Sequence, residues 1–473
     1  MVFSSLVFLT LFLPATLLIY HFAFNSIKLK NATLIVASLI FYAWSGLYYL
    51  VLLLTSAAVN YIFGILIGQK RQGNKAILTV SILFNLLLLC FFKYFGFFAE
   101  NLNNVLLNNK NFAVPRIPLP VGISFYTFQI ISYVVDVYRG RAKEQKNFFY
   151  VLLYISLFPQ LIAGPIVRYT EIELAIKQRN VKAEDIQYGL KRFIGGLCKK
   201  VLISNQVAVL ADAAFQDINA CTASVAWIGI ISYTIQIYFD FSGYSDMAIG
   251  MGRIFGFRFP ENFNFPYISK SIQEFWRRWH ITLSSWFRDY VYIPLGGSRR
   301  GQKRTIINLL VVFLLTGLWH GAGWQFITWG IFHGTFLVLE RIPLIHRLIE
   351  RMWGPLRHIY VMVVVMIGWV FFRADSLQDA ALFLSKMFCT ETAIPYTYTI
   401  NFTPFNLLSI LTGIFFSAPV LQHRGKTQEG SVISGTRSKP IYYVSMCLYI
   451  CGLCFCIMSI SSGSYNPFIY FTF

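Results

Sequence analysis

"TIINLLVVFLLTGLWHGAGW", residues 305–324, starts as an apolar run and ends in polar and small residues. The run over 305–315 predicts a helix buried in lipid or protein. His320 follows it, either as a structural hydrogen-bonding residue or as a functional one, because an ionisable group at membrane depth is costly and often functional. The glycines at 321 and 323 let the backbone turn and approach its neighbours closely. This stretch therefore predicts a helix that carries a histidine to a buried turn.

The composition predicts an all-α polytopic membrane protein. Of 473 residues, 56% are hydrophobic and 13% are charged, which leaves too little polar surface for a soluble protein. The 46 Phe and 27 Tyr fit a chain that crosses many membrane interfaces. The formal charge of +20 indicates basic cytoplasmic loops, and no soluble basic domain is present to bind nucleic acid. We expect the lipid bilayer as a partner and no nucleic acid.

Apolar stretches predict about 11–13 membrane and re-entrant helices in a single domain over residues 1–473. The stretch 33–68 is too long for one helix, so we expect it to fold back near "WSGLYY", residues 44–49. Counting positive charges as cytoplasmic places the N-terminus outside the membrane. The same rule makes residues 462–473 an extracytoplasmic tail.

Two basic segments determine how residues 305–340 are placed. "RRGQKR", residues 299–304, and the region from Arg341 onward both belong on the cytoplasmic side. The segment between them must therefore enter and leave the membrane from the same face. A helix over 305–319 rises about 22 Å, which is deep in a hydrocarbon core of about 30 Å but not across it. Irregular backbone at that depth needs a cavity or protein cover, so we expect a cavity with His320 at its floor.

The chain is amphipathic from residue 268 onward, where aromatic and aliphatic residues alternate with basic ones up to about 288. One interpretation is an interfacial helix that lies on the inner leaflet. The alternative is that Arg277 and Arg278, with Trp276 and Trp279, line the mouth of the cavity. A cationic entrance rimmed by aromatic rings suits an anionic donor with phosphates and an adenine ring.

Other polar residues in apolar surroundings have structural explanations. Asp240 and Asp246 are expected to cap a helix or pair with a nearby arginine, and the alternative is that they line a polar passage. Cys447, Cys451 and Cys454 fall on one helical face with no histidine or carboxylate nearby, so we expect buried packing. We predict no metal site and no permanently bound cofactor.

Five ordered motifs together resemble the membrane-bound O-acyltransferase (MBOAT) family. They span a core of about 120–340, and the resemblance runs over nearly the whole chain. The similarity is greatest to the bacterial branch that modifies alginate, peptidoglycan and teichoic acid. The motifs are "SLFPQLIAGPIVRY" (156–169), "QIYFDFSGYSDMAIG" (236–250), "FPENFNFPYIS" (259–269), "FWRRWHITLSSWFRDYVYIPLGG" (275–297) and "TGLWHGAGWQFITWGIFHG" (316–334).

The resemblance implies a fold, a reaction and a set of partners. The family's invariant histidine corresponds to His320, and its second histidine-bearing motif places His280. The fold is a set of membrane helices around a funnel that opens to the cytoplasm. The acetyl donor is acetyl-CoA, and a separate extracytoplasmic acetyltransferase delivers the group to an exported polysaccharide. The location is the bacterial cytoplasmic (inner) membrane, which the protein crosses several times.

The chemistry of O-acetyl transfer assigns roles to these residues. A hydroxyl needs a base to accept its proton, and a neutral imidazole suits that task. The thioester oxyanion needs hydrogen-bond donors, for which Trp319, Trp324, Asn308 and the glycine amides are candidates. The terminal "FIYF", residues 468–471, is similar to a motif in related D-alanylation systems where a tyrosine hydroxyl carries the acyl group. Tyr470 is therefore either an acyl relay or an aromatic anchor at the interface.

Three other functions are alternatives to O-acetylation. A transporter or flippase would also bury acidic residues, but its usual inverted-repeat symmetry is not seen in the sequence. A heme or metal protein would need two axial ligands, and His320 and His333 do not fall on one obvious helical face. Transfer of a D-alanyl group from a carrier protein to teichoic acid is the alternative within the family. The polysaccharide that is modified stays open.

Overall fold

The computed structural model describes residues 1–23, 26–69, 73–106, 117–388, 402–420, 439–463 and 469, and these contain helices and no strands. Short π-helical turns interrupt or extend helices at Phe8–Phe12, Lys199–Ser204 and Arg288–Tyr292, and a 3₁₀ turn lies at Pro266–Ile268. The α-helices are α1 (Leu13–Phe22), α2 (Ile27–Ala43), α3 (Leu47–Gly68), α4 (Asn74–Leu106), α5 (Ile123–Tyr138), α6 (Phe148–Ser156), α7 (Phe158–Leu161), α8 (Tyr169–Lys177), α9 (Ala183–Cys198), α10 (Asn205–Gln216), α11 (Ala223–Ile254), α12 (Ile272–Arg278), α13 (Ile281–Phe287), α14 (Gln302–His320), α15 (Trp324–Leu339), α16 (Pro343–Arg351), α17 (Gly354–Arg373), α18 (Leu377–Phe388), α19 (Pro404–Phe416) and α20 (Lys439–Ser461).

Five helical segments within the described residues are long and apolar enough to cross a membrane. The prediction of an all-α polytopic membrane protein is therefore confirmed. These segments are Leu47–Gly68, Asn74–Asn103, Ala183–Gln216, Gly354–Arg373 and Tyr443–Ser461.

One compact unit contains Met1–Phe193 and Met247–Pro260. The predicted break in the apolar stretch 33–68 is confirmed, because α2 ends at Ala43 and α3 begins at Leu47. Gly46 in the connection has φ 134°, a backbone conformation that only glycine adopts without strain.

Buried polar side chains tie the helices of this unit to one another. The side-chain amides of Asn60 on α3 and Asn85 on α4 exchange hydrogen bonds of 3.0 and 2.7 Å. The Arg179 guanidinium donates to the Tyr20 hydroxyl at 2.9 Å and to the side-chain oxygen of Asn31 at 2.6 Å. Such pairing lets polar groups lie inside a largely apolar body, because an unpaired buried polar group is costly.

The second compact unit contains Ile194–Asp246 and Glu261–Phe473, and its helices α14 and α15 form an antiparallel hairpin. Helix α14 ends at His320 and α15 begins at Trp324, as the sequence predicted, so both outer ends of the hairpin lie on the same side of the turn. The glycines of the turn do not use the left-handed region, since φ is −163° at Gly321 and −168° at Gly323.

Close approach is the reason for glycine at the hairpin contact. A Cβ on Gly317 would overlap the carbonyl oxygen of Phe326, and one on Gly330 would overlap the carbonyl oxygen of Phe313. A Cβ on Gly321 would overlap the ring of Phe326. The two helices therefore pack backbone against backbone around the position of His320.

The prediction of one interfacial helix from residue 268 is wrong. The segment forms two seven-residue helices, α12 and α13, separated at Trp279 and His280. Its aromatic and aliphatic side chains are buried in the protein rather than free to enter a lipid leaflet. The alternation of apolar and basic residues indicated which side chains are covered, but not that protein covers them.

The prediction that three C-terminal cysteines are packed inside the protein is also wrong. Cys447, Cys451 and Cys454 are exposed on α20, where they would face lipid. Cys456 is the buried member of the group, and its Sγ lies 3.8 Å from the Sγ of Cys198. The described residues contain no group of three or more histidine, cysteine or acidic side chains that would hold a metal ion.

The hairpin contact predicts a graded response to added methyl groups. Gly317→Ala forces its Cβ into the rigid backbone of α15, so we expect a loss of stability at the upper end of about 1–3 kcal/mol. Gly334→Ala, one turn after Gly330 on α15, is the control, because its Cβ would make a milder contact, at 3.1 Å from the Phe313 Cβ and not against a backbone oxygen. Thermal unfolding of the purified proteins in detergent measures both. Equal melting temperatures for the two variants would contradict this account of the hairpin.

Candidate active site

His280 lies at the junction of α12 and α13 in an unusual backbone conformation. Its φ of 43° and ψ of 55° place it in the left-handed region, and only Phe265 shares a positive φ among the described non-glycine residues. Strained backbone of this kind persists where surrounding contacts hold it, often at functional sites. The side chain is buried, with 1% of its surface exposed.

Asn262 holds His280 in one tautomer. The Asn262 side-chain oxygen accepts hydrogen bonds from the backbone N–H of Thr282 at 3.3 Å and from its hydroxyl at 2.9 Å, while the amide nitrogen donates to Ser245. The same oxygen lies 3.0 Å from His280 Nδ1. Because an amide oxygen only accepts, Nδ1 must carry the proton. Nε2 of His280 is then the basic nitrogen.

The basic nitrogen of His280 is available for chemistry. Nε2 is buried and has no hydrogen-bond partner within the described residues. Burial lowers the pKa of His280 to about 3, because desolvation disfavours the imidazolium. The ring is therefore neutral at physiological pH and can accept a proton or a hydrogen bond from a reacting group.

His320 is the last residue of α14 and is enclosed by aromatic rings. Its ring centroid lies 5.0 Å from that of Trp329 and 4.9 Å from that of Phe372, both in edge-to-face geometry. Trp319 connects the two histidines, with its ring centroid 4.8 Å from His320 and 6.1 Å from His280. The structure thus brings the two predicted histidines into contact with one indole.

The helix α12 is fixed at its first turn by a carboxylate from another helix. Glu340, directly after α15, accepts hydrogen bonds from the backbone N–H groups of Ile272 at 2.6 Å and Gln273 at 3.0 Å. A carboxylate at a helix N-terminus satisfies orphan N–H donors and complements the helix dipole. Glu340 therefore sets the position of Trp276 and Trp279, which are both buried.

The predicted entrance arginines differ in their surroundings. The Arg278 guanidinium pairs with Glu274 at 2.9 Å and donates to the Asn264 carbonyl oxygen at 3.0 Å, so it stabilises the local backbone. Arg277 is exposed. Of the two, Arg277 has the side chain that can reach an anionic ligand.

Of the other predicted oxyanion donors, Asn308 is used elsewhere and Trp324 is largely exposed. Asn308 donates to the carbonyl oxygen of Gly297 at 2.9 Å, which ties the loop before α14 to that helix. It precedes His320 by 12 residues, or about 18 Å along a helix. Trp324 is 55% exposed. Trp319, by contrast, is buried in contact with both histidines.

The sequence did not reveal the surroundings of several residues in this site and next to it. Asn262 falls inside the recognised motif "FPENFNFPYIS", but nothing in the sequence indicates that its side chain reaches His280. From the sequence alone, Glu340 is an ordinary carboxylate at a helix end. His333 was considered only as a metal ligand, yet it is fully buried against Trp276 and Trp329, with ring centroids 5.1 and 5.2 Å away.

The acidic residues predicted in an apolar span pair with lysines rather than with arginines. Lys200 lies 2.6 Å from Asp240, and Lys199 lies 2.6 Å from Asp246. The backbone N–H of Ile469 also donates to Asp240, at 2.9 Å. Tyr470, the candidate relay, lies outside the described residues, but the residue before it is inside the protein.

Comparison with known proteins shows what class of protein carries these features. A model of the membrane-bound O-acyltransferase family matches residues 141–377. The probable alginate O-acetylase AlgI of Azotobacter vinelandii is 44% identical over 82% of this chain and 78% of its own length. The peptidoglycan O-acetyltransferase of Helicobacter pylori is 38% identical over 82% and 80%. The teichoic acid D-alanyltransferase of Bacillus subtilis is 32% identical over 46% and 58%.

The chain belongs to the membrane-bound O-acyltransferase family. It is therefore a multi-pass membrane enzyme that transfers acyl groups. His280, Trp319 and His320 all lie within the matched residues, as does Asn262.

The contact between Asn262 and His280 predicts a shift in the pH dependence of acyl transfer. Asn262→Asp puts a negative charge beside the Nδ1–H of His280, which favours the imidazolium and raises its pKa from about 3. Because the neutral ring is the form that accepts a proton, we expect activity to be lost at a higher pH than in the wild type as the pH falls. The rate of acyl transfer by membranes between about pH 4 and 8 measures the shift.

Thr282→Val is the matched control for that experiment. It removes a hydroxyl donor from the same Asn262 oxygen but adds no charge. We expect its profile to keep the wild-type shape. Coincident acid limbs for Asn262→Asp and wild type would show that His280 does not act through its neutral form.

Proposed function

We propose that the protein takes an acetyl group from cytoplasmic acetyl-CoA and passes it across the bacterial inner membrane. The group then modifies an exported cell-envelope polysaccharide of the alginate or peptidoglycan type, with an extracytoplasmic acetyltransferase as partner. The observation that carries the proposal is the pair of buried histidines that both contact Trp319. His280 is fixed as a neutral ring with Nε2 as an acceptor, and His320 ends a helix in an aromatic enclosure.

The histidines suit transfer of an acyl group from a thioester to a hydroxyl. In the proposed step, His320 accepts the hydroxyl proton while the oxygen attacks the thioester carbonyl. A C–O bond forms, the C–S bond breaks, and the coenzyme A thiolate leaves and receives the proton from the imidazolium. His280, with its lone pair on Nε2, accepts a hydrogen bond from a reacting group or from water. The aromatic surroundings exclude bulk water and protect the thioester from hydrolysis.

Arg277 is the candidate contact for the donor phosphates. It is exposed at the end of α12, next to the buried Trp276, whereas Arg278 is held by Glu274. A guanidinium beside aromatic side chains suits a ligand with phosphates and a base. In this proposal Arg277 binds the donor, whereas Arg278 stabilises the fold.

The relatives favour acetylation over D-alanylation. Two proteins named for O-acetylation match over about four-fifths of this chain, whereas the D-alanyltransferase match covers less than half.

Replacing His320 tests the proposal. Membranes that contain the wild-type protein and its partner should transfer label from acetyl-CoA to polymer, and His320→Ala should reduce transfer by at least about a hundredfold. Transfer at the wild-type rate would rule out His320 as the base. Label from a D-alanyl carrier protein, but not from acetyl-CoA, would instead support aminoacyl transfer.

His333→Ala is the matched control for the His320 experiment. It removes a second buried imidazole, from the adjoining helix α15, so it shows what loss of a buried ring does to folding alone. We expect its transfer activity to follow the amount of folded protein recovered. The transfer activity of His320→Ala should be far lower than its amount of folded protein accounts for.

A second part of the proposal makes Tyr470 the hydroxyl that receives the acetyl group before the partner collects it. The support is the "FIYF" terminus and the burial of Ile469 next to it. Tyr470→Phe keeps the aromatic ring but removes the nucleophile, so polymer acetylation should stop while the protein stays folded. Wild-type acetylation by this variant would exclude the relay and make a hydroxyl of the partner the acceptor.

A further inference from the structure

Two adjacent lysines reach two carboxylates at a place where their helices pack closely. Lys199 and Lys200 begin the π-helical turn that follows α9, and Asp240 and Asp246 lie on α11. Between the two acids, Gly243 lies so close to the backbone that a Cβ there would meet the carbonyl oxygen of Gly196 at 2.7 Å. π-helical turns recur at functional sites because they place an extra side chain on one face.

The two ion pairs differ in burial. The side chains of Lys200 and Asp240 are 2% and 1% exposed, whereas those of Lys199 and Asp246 are 33% and 12% exposed. A fully buried ion pair adds little stability compared with apolar residues of the same volume, because both charges lose their hydration. The Lys200–Asp240 pair therefore needs a reason other than the stability of the fold.

The C-terminal segment supplies that reason. Asp240 uses Oδ1 for Lys200 and Oδ2 for the backbone N–H of Ile469, at 2.6 and 2.9 Å. Ile469 is itself 8% exposed. Ile469 thus lies in the protein interior, and its backbone N–H is held by a charged acceptor, which makes a stronger hydrogen bond than a neutral one.

The bound segment lies close to the candidate catalytic residues. Phe241, the residue after Asp240, packs edge to face against His280, with ring centroids 4.7 Å apart. His280 in turn faces Trp319 and, beyond it, His320. An uninterrupted set of contacts therefore leads from the residue before Tyr470 to the proposed base.

We propose that the buried Lys200–Asp240 pair is the docking site for the C-terminal segment. The Asp240 carboxylate accepts the N–H of Ile469, and Lys200 holds that carboxylate in its orientation. Because the bond uses the backbone, it fixes the register of the segment whatever the side chain at 469. Under the proposed function, this register places the Tyr470 hydroxyl for reaction, so both members of the pair act as positioning residues.

A measurement of docking alone tests the proposal. Carboxypeptidase Y removes residues from the C-terminus in turn, and the intact mass of the full-length protein in detergent shows where removal stops. In the wild type, removal should stop before Ile469. Lys200→Met combined with Asp240→Leu replaces the pair by apolar residues of similar volume, which buried pairs usually tolerate. Loss of Ile469 should then be about tenfold or more faster.

The neighbouring ion pair provides the matched control. Lys199→Met combined with Asp246→Leu removes a pair of the same chemistry from the same two helices, but leaves the acceptor of the Ile469 N–H in place. We expect wild-type protection of Ile469 in this variant. If the Lys200/Asp240 variant is folded and protects Ile469 as well as the wild type does, the docking site is wrong.

Proline at 469 tests whether docking matters for transfer. Ile469→Pro deletes the N–H and leaves the ion pair intact, whereas Ile469→Val keeps the N–H. Polymer acetylation should fall about tenfold or more in the proline variant and stay near wild type in the valine variant. Wild-type acetylation by Ile469→Pro, in a protein whose Tyr470→Phe variant is inactive, would show that this hydrogen bond does not position the tyrosine.

Failure of the docking site and failure of the acyl relay give different results. If Tyr470→Phe remains active, the relay is wrong, and protection from carboxypeptidase alone supports or overturns docking. If Tyr470→Phe is inactive but the Lys200/Asp240 variant keeps both protection and acetylation, the relay stands and the docking site is wrong.

Discussion

The side-chain oxygen of Asn262 is the acceptor on which the candidate active site depends. It holds the His280 ring and both donors of Thr282, while the amide nitrogen reaches Ser245 on α11. One residue thereby joins a helix, a loop and the turn between two short helices. It also fixes which imidazole nitrogen is basic, because an amide oxygen cannot donate. The left-handed backbone conformation of His280 is tolerated at this turn because these hydrogen bonds hold the residue there.

Aromatic packing and glycine spacing complete the surroundings of the two histidines. Gly317 and Gly330 let α14 and α15 approach backbone to backbone, so His320 is carried to the end of a rigid hairpin. Trp319, Trp329 and Phe372 then enclose the ring and keep water away. In such apolar surroundings electrostatic interactions are stronger than in water, which benefits acyl transfer and also requires each buried charge to have a partner. Lys200 and Asp240 meet that requirement together with the Ile469 N–H.

Patterns in the sequence predicted part of this arrangement and misplaced another part. The hairpin turn after His320 was predictable, because a basic segment at each end and glycines in the middle leave few ways to connect the helices. The segment around Trp276 and Trp279 was not, because amphipathicity shows that one face is covered without showing whether lipid or protein covers it. The same ambiguity, with the opposite outcome, affected Cys447 and its neighbours, which lie on an exposed face. Asn308 was a reasonable oxyanion donor by composition, but its distance along α14 ties it to the loop at Gly297.

The amino-acid sequence is sufficient to show an all-α membrane protein, the breaks between its helices and two histidines within motifs of an acyltransferase family. These properties follow from composition, local periodicity and turn chemistry, which act over a few residues. Three features arise only in the folded chain. They are the tautomer of His280, the contact of one indole with both histidines, and the anchoring of Ile469 by Asp240. Each depends on residues that are far apart in the sequence, from about 18 to 229 positions, or on which side chains meet in the interior. No local sequence pattern encodes such contacts.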